Sequence, residues 1–187
     1  DVQECMIVPK KRSMKENVRV GAEVFHVLKK LLDQADYPTT VGDEGGFAPK
    51  LRKVEDAFDL LMKAIKKAGY KPGKAVTLAT DVAARELYDK KAKRYKMKAE
   101  GKSYTAAKLL LRYEDWQKKY PIESIEDPFD EDDWEAWKKC VPVLKRGGAI
   151  VGDDFFVTNV ERLQKGIEER AATAILIKLN QIGTLSE

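Results

Sequence analysis

The amino-acid sequence predicts an α/β fold built on a mainly parallel sheet, either open or closed into a barrel. Short apolar segments alternate with helix-like segments along the 187 residues. Helical stretches separate the last four apolar segments, as crossovers between parallel strands require. Hydrophobic residues make up 43% and charged residues 35% of the chain, a composition typical of a soluble globular domain.

The first part of the chain is predicted to hold one strand, two amphipathic helices and a glycine-rich loop. The strand covers Gln3 to Val8, and a helix follows from Ser13, which has capping-box spacing with Glu16. The loop covers Gly42 to Pro49, and Gly69 is well placed to end the second helix. Apolar residues at helical spacing indicate the helices: Val18, Ala22, Phe25, Leu28 and Leu32 in the first, and Val54, Ala57, Phe58, Leu61, Ile65 and Ala68 in the second.

The second part is predicted to alternate four strands with three helices. Thr158 and Glu161 have capping-box spacing and are expected to start the last helix. The strands are Ala75 to Thr80, Pro121 to Ile125, Ala149 to Gly152 and Ala174 to Ile177. The helices cover about Thr105 to Lys119, Glu131 to Cys140 and Val160 to Glu169.

Composition argues against several classes of protein. The net charge of +4 is spread along the chain, and no Lys/Arg block interleaved with aromatics favours a nucleic-acid interface. No apolar run approaches the length of a membrane span, and no signal peptide is visible. Cys5 and Cys140 are too few for a disulfide framework, so we expect reduced thiols in a cytoplasmic protein. The chain starts at Asp1 without Met and ends at Glu187, and we expect both ends to be cut from a longer protein.

Each of the four late strands ends at an ionisable residue. These residues are Asp81, Glu126, Asp153 and Lys178, with separations of 45, 27 and 25 residues, so one interval holds an insertion. In a parallel barrel the carboxyl ends of neighbouring strands meet on one face, where active sites lie. We therefore expect three carboxylates and an ammonium to meet there.

This constellation predicts a divalent metal site. Three carboxylates repel one another unless a cation lies between them, and all-oxygen ligands favour Mg²⁺. A metal bound to a substrate carboxylate stabilises the charge that develops when an adjacent C–H loses its proton, and a Lys beside the cation has a lowered pKa and can act as the base. The competing interpretation is that the carboxylates are helix caps or surface ion pairs.

The glycine-rich loop reads VGDEGGFAP. A carboxylate before the pair Gly45 and Gly46 can be carried on a mobile loop towards a substrate. An ordinary turn with solvated acids is the alternative. The spacing of a phosphate-binding P-loop is absent.

Long motifs resemble the enolase family. VGDEGGFAP, SIEDPFDEDDWEAW, VGDD followed by VTN, and ILIKLNQIGTLSE match enolase motifs, while QECMIVP and DVAARELYD resemble its QEFMI and DVAASEFYD segments. The matches keep the family order and run from end to end of the chain. The resemblance implies a partial (β/α)8 TIM-like barrel of the enolase type, with about five of eight strands and flanking helices.

The resemblance also implies the metal and substrate ligands. Asp81, Glu126 and Asp153 match the Mg²⁺ ligands. Glu4, Glu126, Asp153 and Lys178 match groups around the substrate, 2-phosphoglycerate or phosphoenolpyruvate.

The acid–base groups are implied in the same way. Lys178 matches the base that removes the C2 proton, Glu44 the general acid for the C3 hydroxyl, and Glu4 its acidic partner. His26, the single histidine, matches a helix position away from the chemistry and is expected to be structural.

Four departures from the family pattern leave these groups intact. Cys5 replaces a Phe, Arg85 stands where Ser is commoner, Thr80 precedes the metal Asp where an apolar residue often stands, and Phe155-Phe156 replaces a Leu-containing pair. We expect a surface role for Arg85.

The resemblance places residues 1–187 in the barrel domain, from the second to the sixth strand, without the N-terminal domain and the final strands. It implies Mg²⁺-dependent dehydration of 2-phosphoglycerate in glycolysis by a cytoplasmic homodimer. Because the family's phosphate-binding groups lie outside this segment, we expect these residues alone to be inactive. Two alternatives are another superfamily member that abstracts a proton beside a carboxylate, and a non-catalytic enolase-like structural or surface-binding protein.

Overall fold

A computed structural model gives the structure of the chain and describes residues 1–144, 147–184 and 186. The chain divides into two compact units, Glu4–Ala79 and a second formed by Asp1–Gln3 with Thr80–Glu187. Among the described residues, none of the helices combines the length and apolar character needed to cross a membrane.

The first unit contains two strands and two helices. Strand β1 covers Glu4–Pro9, helix α1 Met14–Asp33, helix α2 Val54–Lys67 and strand β2 Val76–Asp81, whose last two residues belong to the second unit. The two helices pack against each other and against β1, and β1 neighbours β2. In α2 this packing buries the predicted apolar stripe, and Val54, Phe58, Leu61 and Ile65 are at most 7% exposed. The stripe predicted for α1 is wrong in part: Leu32 is buried, but Val18 is 64% exposed and Ala22 is exposed. The buried side chains of α1 are Val20, Val24, Leu31 and Leu32.

The predicted helix ends in this unit are confirmed. The Ser13 hydroxyl caps α1 by accepting a 3.3 Å hydrogen bond from the Glu16 N–H. Gly69 follows the end of α2 with a φ of 84°, a left-handed conformation that glycine adopts without strain.

The second unit opens with an antiparallel sheet that the sequence did not predict. A 3₁₀ helix, Ala84–Leu87, leads into strands β3 (Tyr88–Asp89), β4 (Arg94–Met97) and β5 (Lys102–Tyr104). These strands pair antiparallel in sequence order. These strands form the insertion that lengthens the interval between Asp81 and Glu126. The sequence did not predict them, because strands of two to four residues are too short to show a clear alternation of apolar and polar residues.

The remainder of this unit alternates helices and parallel strands as predicted. The elements are α3 (Ala106–Lys119), β6 (Ile122–Glu126), α4 (Trp134–Leu144), β7 (Ala149–Gly152), α5 (Val160–Glu169) and β8 (Ala174–Ile175). β7 pairs in parallel with both β6 and β8, placing Ile125 opposite Ile150 and Val151 opposite Ala174. The α/β class and the crossovers are therefore confirmed.

Two predicted helix starts are wrong. α4 begins at Trp134 rather than Glu131, because Asp130 and Asp133 accept backbone N–H bonds and form a turn before it. α5 is capped by Asn159, whose side chain accepts a 2.9 Å hydrogen bond from the Arg162 N–H. The predicted Thr158 capping box does not form, and Thr158 has a left-handed backbone instead.

Candidate metal centre

The predicted carboxylates lie at the ends of strands in the second unit. Asp81 is the last residue of β2, Glu126 the last of β6, and Asp153 follows the last residue of β7. The parallel register sets Glu126 opposite Val151, so the carboxyl ends of β6 and β7 lie side by side. Asp81 and Asp153 are 6% and 7% exposed, and buried carboxylates of this kind need hydrogen bonds or a cation.

The carboxylates form two groups that share one residue. Oxygens of Asp81, Glu126 and Asp127 lie within 4.8 Å of one another, and so do oxygens of Asp127, Asp153 and Asp154. Among the residues that the structure describes, the three predicted ligands are thus divided between two overlapping groups. Their assignment as a single ligand set stays a prediction.

Asp81 is held in place from two sides. Its Oδ1 accepts a 2.8 Å hydrogen bond from the Ala83 N–H, and its Oδ2 accepts a 3.2 Å hydrogen bond from Gln3 Nε2. Ala83 has a φ of 45°, so the chain turns sharply just after β2. The carboxylate therefore has a fixed orientation at the strand end.

Asp127 joins the two groups and was not predicted. It is 3% exposed, has a φ of 40°, and accepts backbone hydrogen bonds from residues 153–155. Burial raises the pKa of its carboxyl to about 7, while the N–H groups of Asp154 and Asp153 act in the opposite direction.

Asp153 forms an ion pair with Lys178, the predicted base. The Lys178 ammonium donates a hydrogen bond to Asp153 Oδ2, and Gln181 Nε2 donates to Oδ1 at 3.2 Å. The bond to Asp153 raises the pKa of the Lys178 ammonium above its ordinary value. The lowered pKa that the sequence predicted concerns a lysine beside a bound cation, and it stays a prediction.

The donor set fits a hard divalent cation. Among the described residues, the two groups together contain five carboxyl groups, those of Asp81, Glu126, Asp127, Asp153 and Asp154. The Lys178 ammonium pairs with Asp153. Carboxylate oxygens are the ligands that Mg²⁺ and similar ions prefer.

The two predicted acidic groups of the first unit are placed separately. Glu4 begins β1. Glu44 is exposed in a short loop closed by a bridge between Val41 and Phe47, whose ring stacks on Phe25 at 4.4 Å. Their predicted roles at the substrate stay predictions.

Arg85 and His26 lie outside the two carboxylate groups, and the sequence predicted a surface role for the first and a structural role for the second. Arg85 is half exposed and its Nε lies 3.3 Å from a Glu131 oxygen, in agreement with the expected surface role. His26 lies on α1 and is exposed.

Several residues at this centre were missed in the sequence. Asp127 and Asp154 are second acids directly after Glu126 and Asp153, so the ED and DD pairs were a visible signal. Gln3, Thr158 and Gln181 act through hydrogen bonds between segments that are distant in the chain, for which a sequence carries no comparable signal.

The fold and the site define an α/β protein with parallel strands and a carboxylate-rich centre at the strand ends. Residues 1–187 match the family model described as enolase, C-terminal TIM barrel domain. The chain belongs to this enolase family.

Proposed function

We propose that the protein containing this chain is an enolase that interconverts 2-phosphoglycerate and phosphoenolpyruvate with Mg²⁺. Family membership supports an enolase-like function. The observation that carries the proposal is the pairing of Lys178 with Asp153 inside a group of strand-end carboxylates. This arrangement sets a candidate base beside candidate metal ligands, as abstraction of a proton next to a carboxylate requires.

Asp81, Glu126 and Asp153 would hold the cation. When bound, Mg²⁺ would neutralise the negative charge that develops on the substrate carboxylate. Hydrogen bonds already orient the buried side chains of Asp81 and Asp153. Asp153 would exchange its bond to Lys178 for the cation.

Lys178 would accept the proton from C2. A lysine acts as a base only as the neutral amine, and its bond to Asp153 favours the charged form. We therefore propose that the base is ready only after the Asp153 charge is engaged elsewhere. Proton removal would then occur only when the Asp153 carboxylate is engaged with another group of the site.

Glu44 and Glu4 would complete the elimination. Hydroxide is a poor leaving group, so the C3–O bond breaks as a carboxylic acid delivers a proton and water departs. In the proposal Glu44 donates that proton and Glu4 is its acidic partner. The electron pair of the C2–H bond forms the new C2–C3 double bond, and the proton stays on Lys178 Nζ. By family analogy, the proposal includes a homodimer.

Proton exchange tests the proposal. In the full-length protein with Mg²⁺, Lys178→Ala should abolish exchange of the 2-phosphoglycerate C2 proton with deuterium from solvent. Lys118→Ala is the matched control, because Lys118 is an exposed lysine whose partners are Glu114 and Asp115. Exchange at the wild-type rate in Lys178→Ala would remove Lys178 from the mechanism, and a wild type that forms no phosphoenolpyruvate would refute the proposed function.

A further inference from the structure

Asp127 is bonded through its backbone to both neighbouring chain segments. Its N–H donates a 3.0 Å hydrogen bond to the Val151 carbonyl of β7, and its carbonyl accepts a 3.1 Å hydrogen bond from the Ala84 N–H beyond β2. The residue follows Glu126 directly, so its backbone fixes where β6 ends. Asp127 therefore connects the end of β6 with β7 and with the segment that follows β2.

The Asp127 side chain binds three successive backbone amides. Oδ1 accepts from the N–H groups of Asp153 at 3.1 Å and Phe155 at 3.4 Å, and Oδ2 accepts from Asp154 at 2.7 Å. A charged carboxylate makes stronger bonds to N–H donors than a neutral acceptor does. These bonds hold the turn that carries Asp153, and through Asp153 they set the partner of Lys178.

We propose that Asp127 is a positioning residue that sets the cation affinity of the centre by fixing Asp153, rather than by binding the cation as a main ligand. The inference rests on the proposed function for the identity of the cation. Both Asp127 oxygens already serve backbone amides, whereas the Asp153 oxygens bind side chains that can move away. Groups that orient metal ligands commonly change affinity by about ten- to a hundredfold when they are replaced.

The test compares Asp127→Asn with Asp130→Asn in the full chain. Asparagine keeps one oxygen and replaces the other by an NH₂ group, which would face an N–H donor in this turn. Asp130 is the matched control because it is 2% exposed, lies in the same loop and caps one backbone N–H, that of Asp132. Mg²⁺ affinity is measured by calorimetric titration, and amide hydrogen exchange at residues 153–155 is measured without metal.

We expect Asp127→Asn to weaken Mg²⁺ binding about ten- to a hundredfold and to speed amide exchange at residues 153–155. Asp130→Asn should leave the Mg²⁺ affinity within about twofold, because it is outside that turn. If Asp127→Asn does not fold, Asp127→Glu displaces the same oxygens while keeping the charge and permits the same comparison.

Two results would overturn the inference. Unchanged Mg²⁺ affinity in Asp127→Asn would show that the residue does not act on the centre. Weaker binding with amide exchange unchanged would make Asp127 a direct ligand. A wild-type chain that binds no Mg²⁺ would instead refute the proposed function, and the amide exchange would then decide whether Asp127 holds the Asp153 turn.

Discussion

The backbone N–H of Lys178 donates a 3.0 Å hydrogen bond to the hydroxyl oxygen of Thr158, 20 residues earlier. The same hydroxyl donates to Gln181 Oε1 at 2.7 Å, and Gln181 Nε2 donates to Asp153 at 3.2 Å. One threonine thus connects the segment that carries the proposed base with the segment that carries a proposed ligand.

Thr158→Val should slow C2 proton exchange in the full-length protein by roughly tenfold, because the base loses its fixed position. The free energy of unfolding should fall by only about 1–2 kcal/mol for the lost hydrogen bonds. Thr158→Ser, which retains the hydroxyl, should behave like the wild type. Exchange rates by NMR and urea denaturation give the two quantities, and equal rates for the Val and Ser variants would contradict the positioning role.

Gly148→Ala should destabilise the protein by more than about 3 kcal/mol. An added Cβ would lie 1.9 Å from the Glu123 carbonyl oxygen, and Gly148 has a φ of 153°, which side chains rarely adopt. Gly21→Ala in α1 is the control, since its Cβ would meet nothing within 4 Å and the change should add about 0.5–1 kcal/mol of stability. Chemical denaturation measures both, and similar values would exclude the close approach.

Cys140 should resist alkylation at pH 8 in the folded chain and react on denaturation. It is fully buried, and burial raises the pKa of its thiol to about 12. Cys5 is partly exposed and serves as the internal comparison. Mass spectrometry after a short pulse of iodoacetamide identifies the labelled cysteine, and rapid modification of Cys140 without unfolding would contradict its burial.

The same raised pKa gives a pH dependence of stability. Below about pH 8.5, the ordinary pKa of a thiol, Cys140 keeps its proton in both states and contributes no pH dependence. Above it the unfolded chain loses the proton first, so stability falls with rising pH until the folded pKa is reached. Cys140→Ala should flatten this decline in denaturation curves taken between about pH 8 and 10; an unchanged slope would argue against the raised pKa.

Arg162→Lys should destabilise the protein by about 1–3 kcal/mol. The guanidinium Nε donates to the Phe155 carbonyl at 2.6 Å, Nη2 donates to the Glu131 carbonyl, and Cζ lies 5.4 Å from the Trp134 ring centre. An ammonium cannot hold both carbonyls and stack on the ring. Arg19→Lys, at half-exposed ion pairs with Glu16 and Glu23 on α1, should leave the stability almost unchanged. A thermal melt of each variant distinguishes the two, and equal shifts would count against the role of Arg162.

The alternating elements could be predicted because each buries a recognisable apolar pattern. β7 and α5 have the predicted bounds, and the stripe through Phe58 and Ile65 becomes core. The strand-end positions of Asp81 and Glu126 could also be predicted, because an apolar run followed by an acidic residue can be recognised in the sequence alone.

Other features depend on contacts that no local pattern records. β3 and β5 have two and three residues and are stabilised by pairing with β4. Thr158 had the spacing of a cap, yet Asn159 took that position while the threonine hydroxyl bonded to Lys178 and Gln181. Long-range partners outweighed local capping preference there.

Residues with a left-handed backbone follow each of three neighbouring strands: Ala83 after β2, Asp127 after β6, and Val157 with Thr158 after β7. Each such conformation costs on the order of 1 kcal/mol or more outside glycine and persists only while its surroundings hold it. The same hydrogen bonds at these strand ends therefore serve both the stability of the fold and the proposed function. Binding of the proposed cation at these strand ends should therefore raise the melting temperature of the protein.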